Sequence, residues 1–187
     1  MKTESNVMYI LRLAATLLII TSLVAAALAG VNGITSPIIA QKTAEKTQLA
    51  IQAVLPGGGE EMTDLPAVGF EGADLVSKVY KGENGYAVEV TPGGFDNTIT
   101  MMVGIDFEGK VLGIDIISHT ETAGLGAVAD AETPAGQNFR AQFVGTSGSV
   151  AVTKDGGSMD AITGATITSR AICDGVNAAL ACVANLG

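Results

Sequence analysis

Between Leu13 and Val31 lie nineteen consecutive residues without a charge, and Met8 to Leu11 extend the apolar run beyond Arg12. A stretch of this length in hydrocarbon satisfies its backbone hydrogen bonds only as a helix, so the sequence predicts a cytoplasmic tip and one transmembrane helix over residues 1–32. Lys2 and Arg12 stand on its N-terminal side. The positive-inside rule then keeps that end in the cytoplasm and sends the rest across the cell (inner) membrane. A cleaved signal peptide is the competing reading, because Ala27-Leu28-Ala29 supplies a small-x-small site. The run is longer than an ordinary signal core, and it continues uncharged into Ser36-Pro37, which favours a retained anchor. No cysteine lies near Gly30, so a lipid anchor is excluded.

Beyond the span, Ser36 reads as an N-cap with Pro37 at the first helical position, and good helix formers run from Ile38 to Leu55 before Pro56. This predicts a separate stalk helix. Gly57-Gly58-Gly59 breaks it, and a polar connector from Glu60 to Gly72 completes a 33–72 stalk and connector segment. The remaining 73–187 is expected to form one domain. Without Lys2, Arg12 and Glu4, eight basic residues stand against eighteen acidic ones, a net charge of −10. That balance makes nucleic acid a poor partner. It also means that any anionic cofactor is held by local donors or a covalent bond.

Alternating residues predict two hairpins: Leu75–Tyr80 with Tyr86–Val90 about Glu83-Asn84-Gly85, then Ile99–Ile105 with Val111–Ile117 about residues 106–110. The last of these strands is apolar almost throughout and reads as central. A short helix over Gln137–Phe143, one more strand over Ser149–Val152 and a final helix over roughly Thr168–Val183 follow. Hairpins and helices without βαβ repeats give an α+β fold with a mixed or antiparallel sheet. Cys173 and Cys182 are nine residues apart on that last helix, about 13.5 Å, too far to bridge each other. With two cysteines, one histidine and no CxxC, the chain offers no obvious metal or iron–sulfur ligand set.

Chemistry concentrates near the C-terminus, in Asp160-Ala161-Ile162-Thr163-Gly164-Ala165-Thr166 followed by Thr168 and Ser169. A hydroxyl on a small-residue turn before a helix can offer its oxygen to a phosphate, whose charge the helix's unpaired N–H groups stabilise. Thr166 is the candidate. The same residue types also suit plain helix capping.

This stretch resembles the [ST]-G-A-T signature of the FMN-binding domain family found in the Rnf and Na+-translocating NADH:quinone reductase complexes, most closely the G subunits of Rnf complexes. Ser118-His119-Thr120-Glu121-Thr122-Ala123-Gly124-Leu125-Gly126 is similar to the family's ETPGLG loop, with Ala123 in place of the usual proline. The single N-terminal span agrees as well. The resemblance implies FMN joined to Thr166 by a phosphoester bond, installed by a separate flavin transferase that uses FAD as donor. On that reading Gly164 lets the backbone approach without a Cβ collision, Ala165 keeps the turn small, Thr163, Thr168 and Ser169 are hydroxyls within reach of phosphate, and Asp160 serves transferase recognition or caps the turn. Glu121, Thr122, Gly124, Leu125 and Gly126 form the wall of the isoalloxazine pocket, with both glycines allowing flat backbone approach. His119 reads as structural, and no residue reads as catalytic.

The implied role is an electron-relay subunit of a membrane-bound, ion-translocating ferredoxin:NAD+ oxidoreductase, working with the other subunits of that complex and catalysing nothing alone. Alternatives are the C subunit of the NADH:quinone reductase, usually a longer chain, and a flavin-free membrane-anchored scaffold.

Overall fold

The computed structural model describes residues 2–62 and 70–186. Most of the expected connector falls on residues 63–69, outside the described residues. The chain divides into two compact units, residues 1–44 and 45–187.

Helix α1, Lys2–Val54, makes up the first unit and continues into the second from Glu45. Its apolar side chains from Val7 to Ile39 are exposed along the run, and the helix is long and apolar enough to be a candidate membrane span. The separate stalk helix expected from Ser36 does not form: α1 runs unbroken with Pro37 inside it. A serine–proline pair is the signal of a helix start, but here the chain is already helical on both sides of it.

The second unit is built on a five-stranded antiparallel sheet with its strands in chain order. These are β1 (Glu60–Glu61), β2 (Val76–Lys81), β3 (Gly85–Val90), β4 (Thr100–Asp106) and β5 (Val111–Ser118). Both predicted hairpins are present, with Val88 facing Val103 and Val103 facing Ile114 in register. Period-two alternation sends β4 to both faces. Met101, Val103 and Ile105 meet one core with α3 (Thr166–Ala184), which contributes Ile172, Val176, Ala179 and Val183. Met102 meets a second core with Ala50, Ile51, Val54 and Leu55 from the end of α1 and the residue after it. That end presses on the sheet at Gly104, where a Cβ would collide with the Val54 carbonyl. Each fully buried valine or isoleucine in these cores contributes about 2 kcal/mol.

Strand β5 was expected in the centre and lies at the edge. Its apolar character has another cause: Ile114 and Ile116 enter the core under α3 while Ile117 enters the core under α1. The edge is also partly covered, since the Val111 N–H donates to the Thr146 carbonyl at 2.9 Å and the Gly145 N–H to the Val111 carbonyl at 2.7 Å.

Helix α2, Pro134–Ala141, starts earlier than expected because Thr133 caps it and Pro134 takes its first turn. The strand expected over Ser149–Val152 reduces to one isolated bridge, Val152 with Met159. The Asn177 side chain takes a strand's place there, accepting from the Val150 N–H at 2.8 Å and donating to its carbonyl at 2.9 Å.

Candidate functional site

The two stretches singled out in the sequence, about forty residues apart, come together at the start of α3. Residues 162–165 form a β-turn closed by the Ala165 N–H on the Ile162 carbonyl at 2.9 Å. Gly164 sits at its third position with φ +78°, a backbone region that side chains disfavour. A Cβ on Gly164 would lie 2.9 Å from Leu125 Cδ2, so this turn and the 121–126 loop are in direct contact.

Thr166 is the first residue of α3, one step inside the helix and not on the turn before it. It is half-buried, and its Oγ1 accepts a hydrogen bond from Lys154 Nζ at 3.0 Å. Ala165, the N-cap, has no side-chain acceptor for the first-turn N–H groups of α3. That leaves the helix start suited to an anion. Lys154 belongs to a short 3-10 turn, Thr153–Asp155. The next residue, Asp155, takes Arg170 in a two-pronged ion pair of 2.6 and 2.7 Å. Arg170 follows Thr166 by four residues, so both lie on one face of α3 and both meet this turn. The guanidinium holds the Asp155 carboxyl below the usual carboxylate range, chiefly through that hydrogen bonding.

Thr168 and Ser169 turn into the interior. Thr168 is 1 % exposed and donates to Glu121 Oε2 at 2.5 Å, while Ser169, fully buried, donates to the Ala165 carbonyl and accepts from the Ile162 N–H, both at 3.0 Å. They lie about 200° and about 300° around the helix from Thr166, on the side of Ile172. Their work is to fasten the motif turn and the 121–126 loop to α3.

Glu121 is likewise internal. Its carboxylate accepts from Thr168 and from the backbone N–H groups of Phe95 at 2.8 Å and Asp96 at 3.4 Å. Gly126 is a glycine for the same reason: a Cβ there would strike the Glu121 carboxylate and come within 2.6 Å of Thr168 Oγ1. The part of the loop open to a ligand is thus Thr122 to Leu125, all exposed, with Gly124 at φ +76° and open space where a Cβ would be. His119 has a structural place, its Nδ1 accepting from the Glu121 N–H at 3.2 Å and its Nε2 standing 3.6 Å from Asp130.

Beside the turn opens a cleft of about 510 Å³, lined by Gly124, Val128, Phe139, Gln142, Asp160 and Thr163 among others. Its size is in the range of small-molecule sites. A larger groove of about 800 Å³ lies along the later turns of α3, away from the motif, and carries none of its residues. Gln142 fixes the backbone of Asp160 from both sides, accepting from its N–H at 2.7 Å and donating to its carbonyl at 3.3 Å. The Asp160 side chain itself is exposed. Lys154, Asp155, Arg170 and Gln142 thus join the site without having stood out in the sequence. Of these only Arg170 carries a local signal, its spacing of four from Thr166.

Residues 94–181 match the family profile described as FMN-binding domain, a span that contains both stretches. The chain is 30% identical to the G subunit of the Na(+)-translocating ferredoxin:NAD(+) oxidoreductase complex of Acetobacterium woodii, over 99% of this chain and 97% of the relative. It is 36% identical to the G subunit of the ion-translocating oxidoreductase complex of Yersinia pestis (80% and 79% covered) and 33% identical to that of Methanosarcina acetivorans (88% and 89%).

Proposed function

Because the chain belongs to the G-subunit family of ion-translocating oxidoreductase complexes and carries that family's FMN-binding domain, we propose that it is an electron-relay subunit of such a complex, with FMN esterified to Thr166. The observation that carries the Thr166 assignment is its position: a half-buried hydroxyl at an uncapped helix start, with an ammonium group 3.0 Å from its oxygen. When bound, the flavin supplies reversible one- and two-electron transfer between donor and acceptor subunits. The fit of a flat, phosphate-bearing group is supported by the cleft beside Thr163, the exposed Leu125 and the open backbone at Gly124.

Within this reading Gly164, Ala165 and Thr163 shape the turn that presents Thr166, and Thr122 to Leu125 form a wall for the ring. Glu121, Gly126, Thr168 and Ser169 are positioning residues that lock these two pieces to α3. Asp160 is the exposed feature offered to a flavin transferase that uses FAD as donor. A covalent bond suits a domain outside the cytoplasm, since occupancy no longer depends on free FMN. Lys2 and Arg12 keep the N-terminus of α1 in the cytoplasm and the second unit lies beyond the membrane, while the other subunits of the complex are its partners.

Denatured protein from a host with a competent transferase should show flavin fluorescence on a gel, and Thr166→Ala should abolish it. A dark wild-type band would favour a flavin-free scaffold instead.

A further inference from the structure

Resting on the reading of Thr166 as the flavin-bearing residue, we infer that Lys154 is the counter-charge of the phosphate ester, compensating its negative charge while the bond forms and afterwards. The second unit is strongly acidic, so a phosphodiester placed on it meets an unfavourable overall field. Among the described residues, the cations Lys154 and Arg170 stand beside the start of α3. Arg170 is committed to Asp155 through both prongs of its guanidinium. Lys154 instead points its ammonium at the Thr166 oxygen itself, at 3.0 Å.

The placement has a mechanical basis. Asp155 is the neighbour of Lys154 in a one-turn 3-10 helix, and its ion pair with Arg170 ties that turn to the face of α3 that carries Thr166. Lysine suits the position because its compact charge on a flexible stem can follow the ester oxygen outward to the phosphate oxygens. In the transfer, a bond forms between Thr166 Oγ1 and the FMN-side phosphorus of FAD while the anhydride bond to AMP breaks. AMP leaves, the hydroxyl proton passes to the transferase or solvent, and nothing is oxidised or reduced. Lys154 keeps its proton throughout and donates hydrogen bonds only.

The test uses the full chain in detergent with its transferase and FAD, following the mass gain of wild type, Lys154→Gln and Lys154→Arg over time. Melting of each chain is measured bare and loaded. Lys154→Gln should load roughly tenfold more slowly, because a charge-assisted hydrogen bond is lost at a solvent-exposed site. Lys154→Arg should recover most of the rate, and raising the ionic strength from about 0.05 M to about 0.5 M should narrow the gap between wild type and Lys154→Gln. Loading should also shift the melting point of Lys154→Gln less favourably than that of wild type. Equal rates and equal shifts for wild type and Lys154→Gln would overturn the role of Lys154 while leaving Thr166 in place. Should bare Lys154→Gln melt lower than wild type, Lys154→Arg decides: recovered loading upholds the charge role, and unrecovered loading overturns it. A wild-type chain that stays bare overturns both readings.

Discussion

The first turn of α3 and the turns that follow it belong to one helix, yet they are built on opposite terms. From Ala171 to Val183 one side of the helix is packed into the core, with Ile172 and Val176 fully buried and Cys173 and Cys182 free and hidden. At Thr166 the same helix has no side-chain cap and meets the Lys154 ammonium, and the turn before it lines an open cleft. Stability resides in the later turns and chemistry in the first, and Thr168 and Ser169 join the two. Helices that hold ligands at their N-termini need this division, because an anion site must stay exposed while its backbone stays rigid.

The comparison can be broken from its stable side. Ile172→Ala should destabilise the second unit by about 3 kcal/mol through a cavity in the core beneath the sheet, measured by thermal or denaturant unfolding. The loading of Thr166 per folded molecule should stay unchanged. Next in size is thiol reactivity. Burial, with help from Asp174 and Asp155, pushes the Cys173 thiol up to about 11, and burial raises Cys182 as well. At pH 8 an alkylating reagent should therefore label the folded chain about a hundredfold more slowly than the unfolded one. Fast labelling of the native protein would mean that the later turns are open.

The junction between the two regions gives a smaller effect. Thr168→Val removes one hydrogen bond from the buried Glu121 carboxylate and should cost about 2 kcal/mol. The loosened 121–126 loop should then lose hydrogen-exchange protection at Leu125 and Ala127, whose N–H groups bond to the Thr122 carbonyl. Unchanged exchange there would separate the loop from α3.

Smallest is the pH dependence of the exposed Asp155–Arg170 pair. The folded-state acidity of Asp155 is strengthened, so its contribution is present above the ordinary carboxylate range and is lost as pH falls through its lowered value. Wild type should hold a slight melting advantage over Asp155→Asn at neutral pH. That advantage should persist to the ordinary carboxylate range and vanish at stronger acidity, and a pH-independent difference would remove the pair's electrostatic role.

The hairpins were legible because alternation and turn residues such as Glu83-Asn84-Gly85 act locally. What escaped the sequence depended on partners far along the chain. An apolar β5 says that both faces are covered, not that another strand lies beside it, and Asn177 standing in for a strand partner leaves no trace near Val150. Pro37 carries the same local signal at a helix start and inside a long helix, and only the continuity of α1 distinguishes them. At the site, the turn with Gly164 and the choice of Thr166 came from residue types and the family resemblance they carry. The inward direction of Thr168 and Ser169 was available from helical spacing, since Thr168 and Ile172 differ by four. Lys154 was not available, because nothing in the spacing of twelve residues brings its ammonium to Thr166.

The central claim is that the first turn of α3 presents one oxygen for esterification. Peptide mass mapping of the chain purified from its own organism tests it most directly. The account predicts that the peptide containing Thr166 gains the mass of one FMN less one water, with fragmentation placing the addition on that residue. The same peptide recovered without any added mass would contradict it.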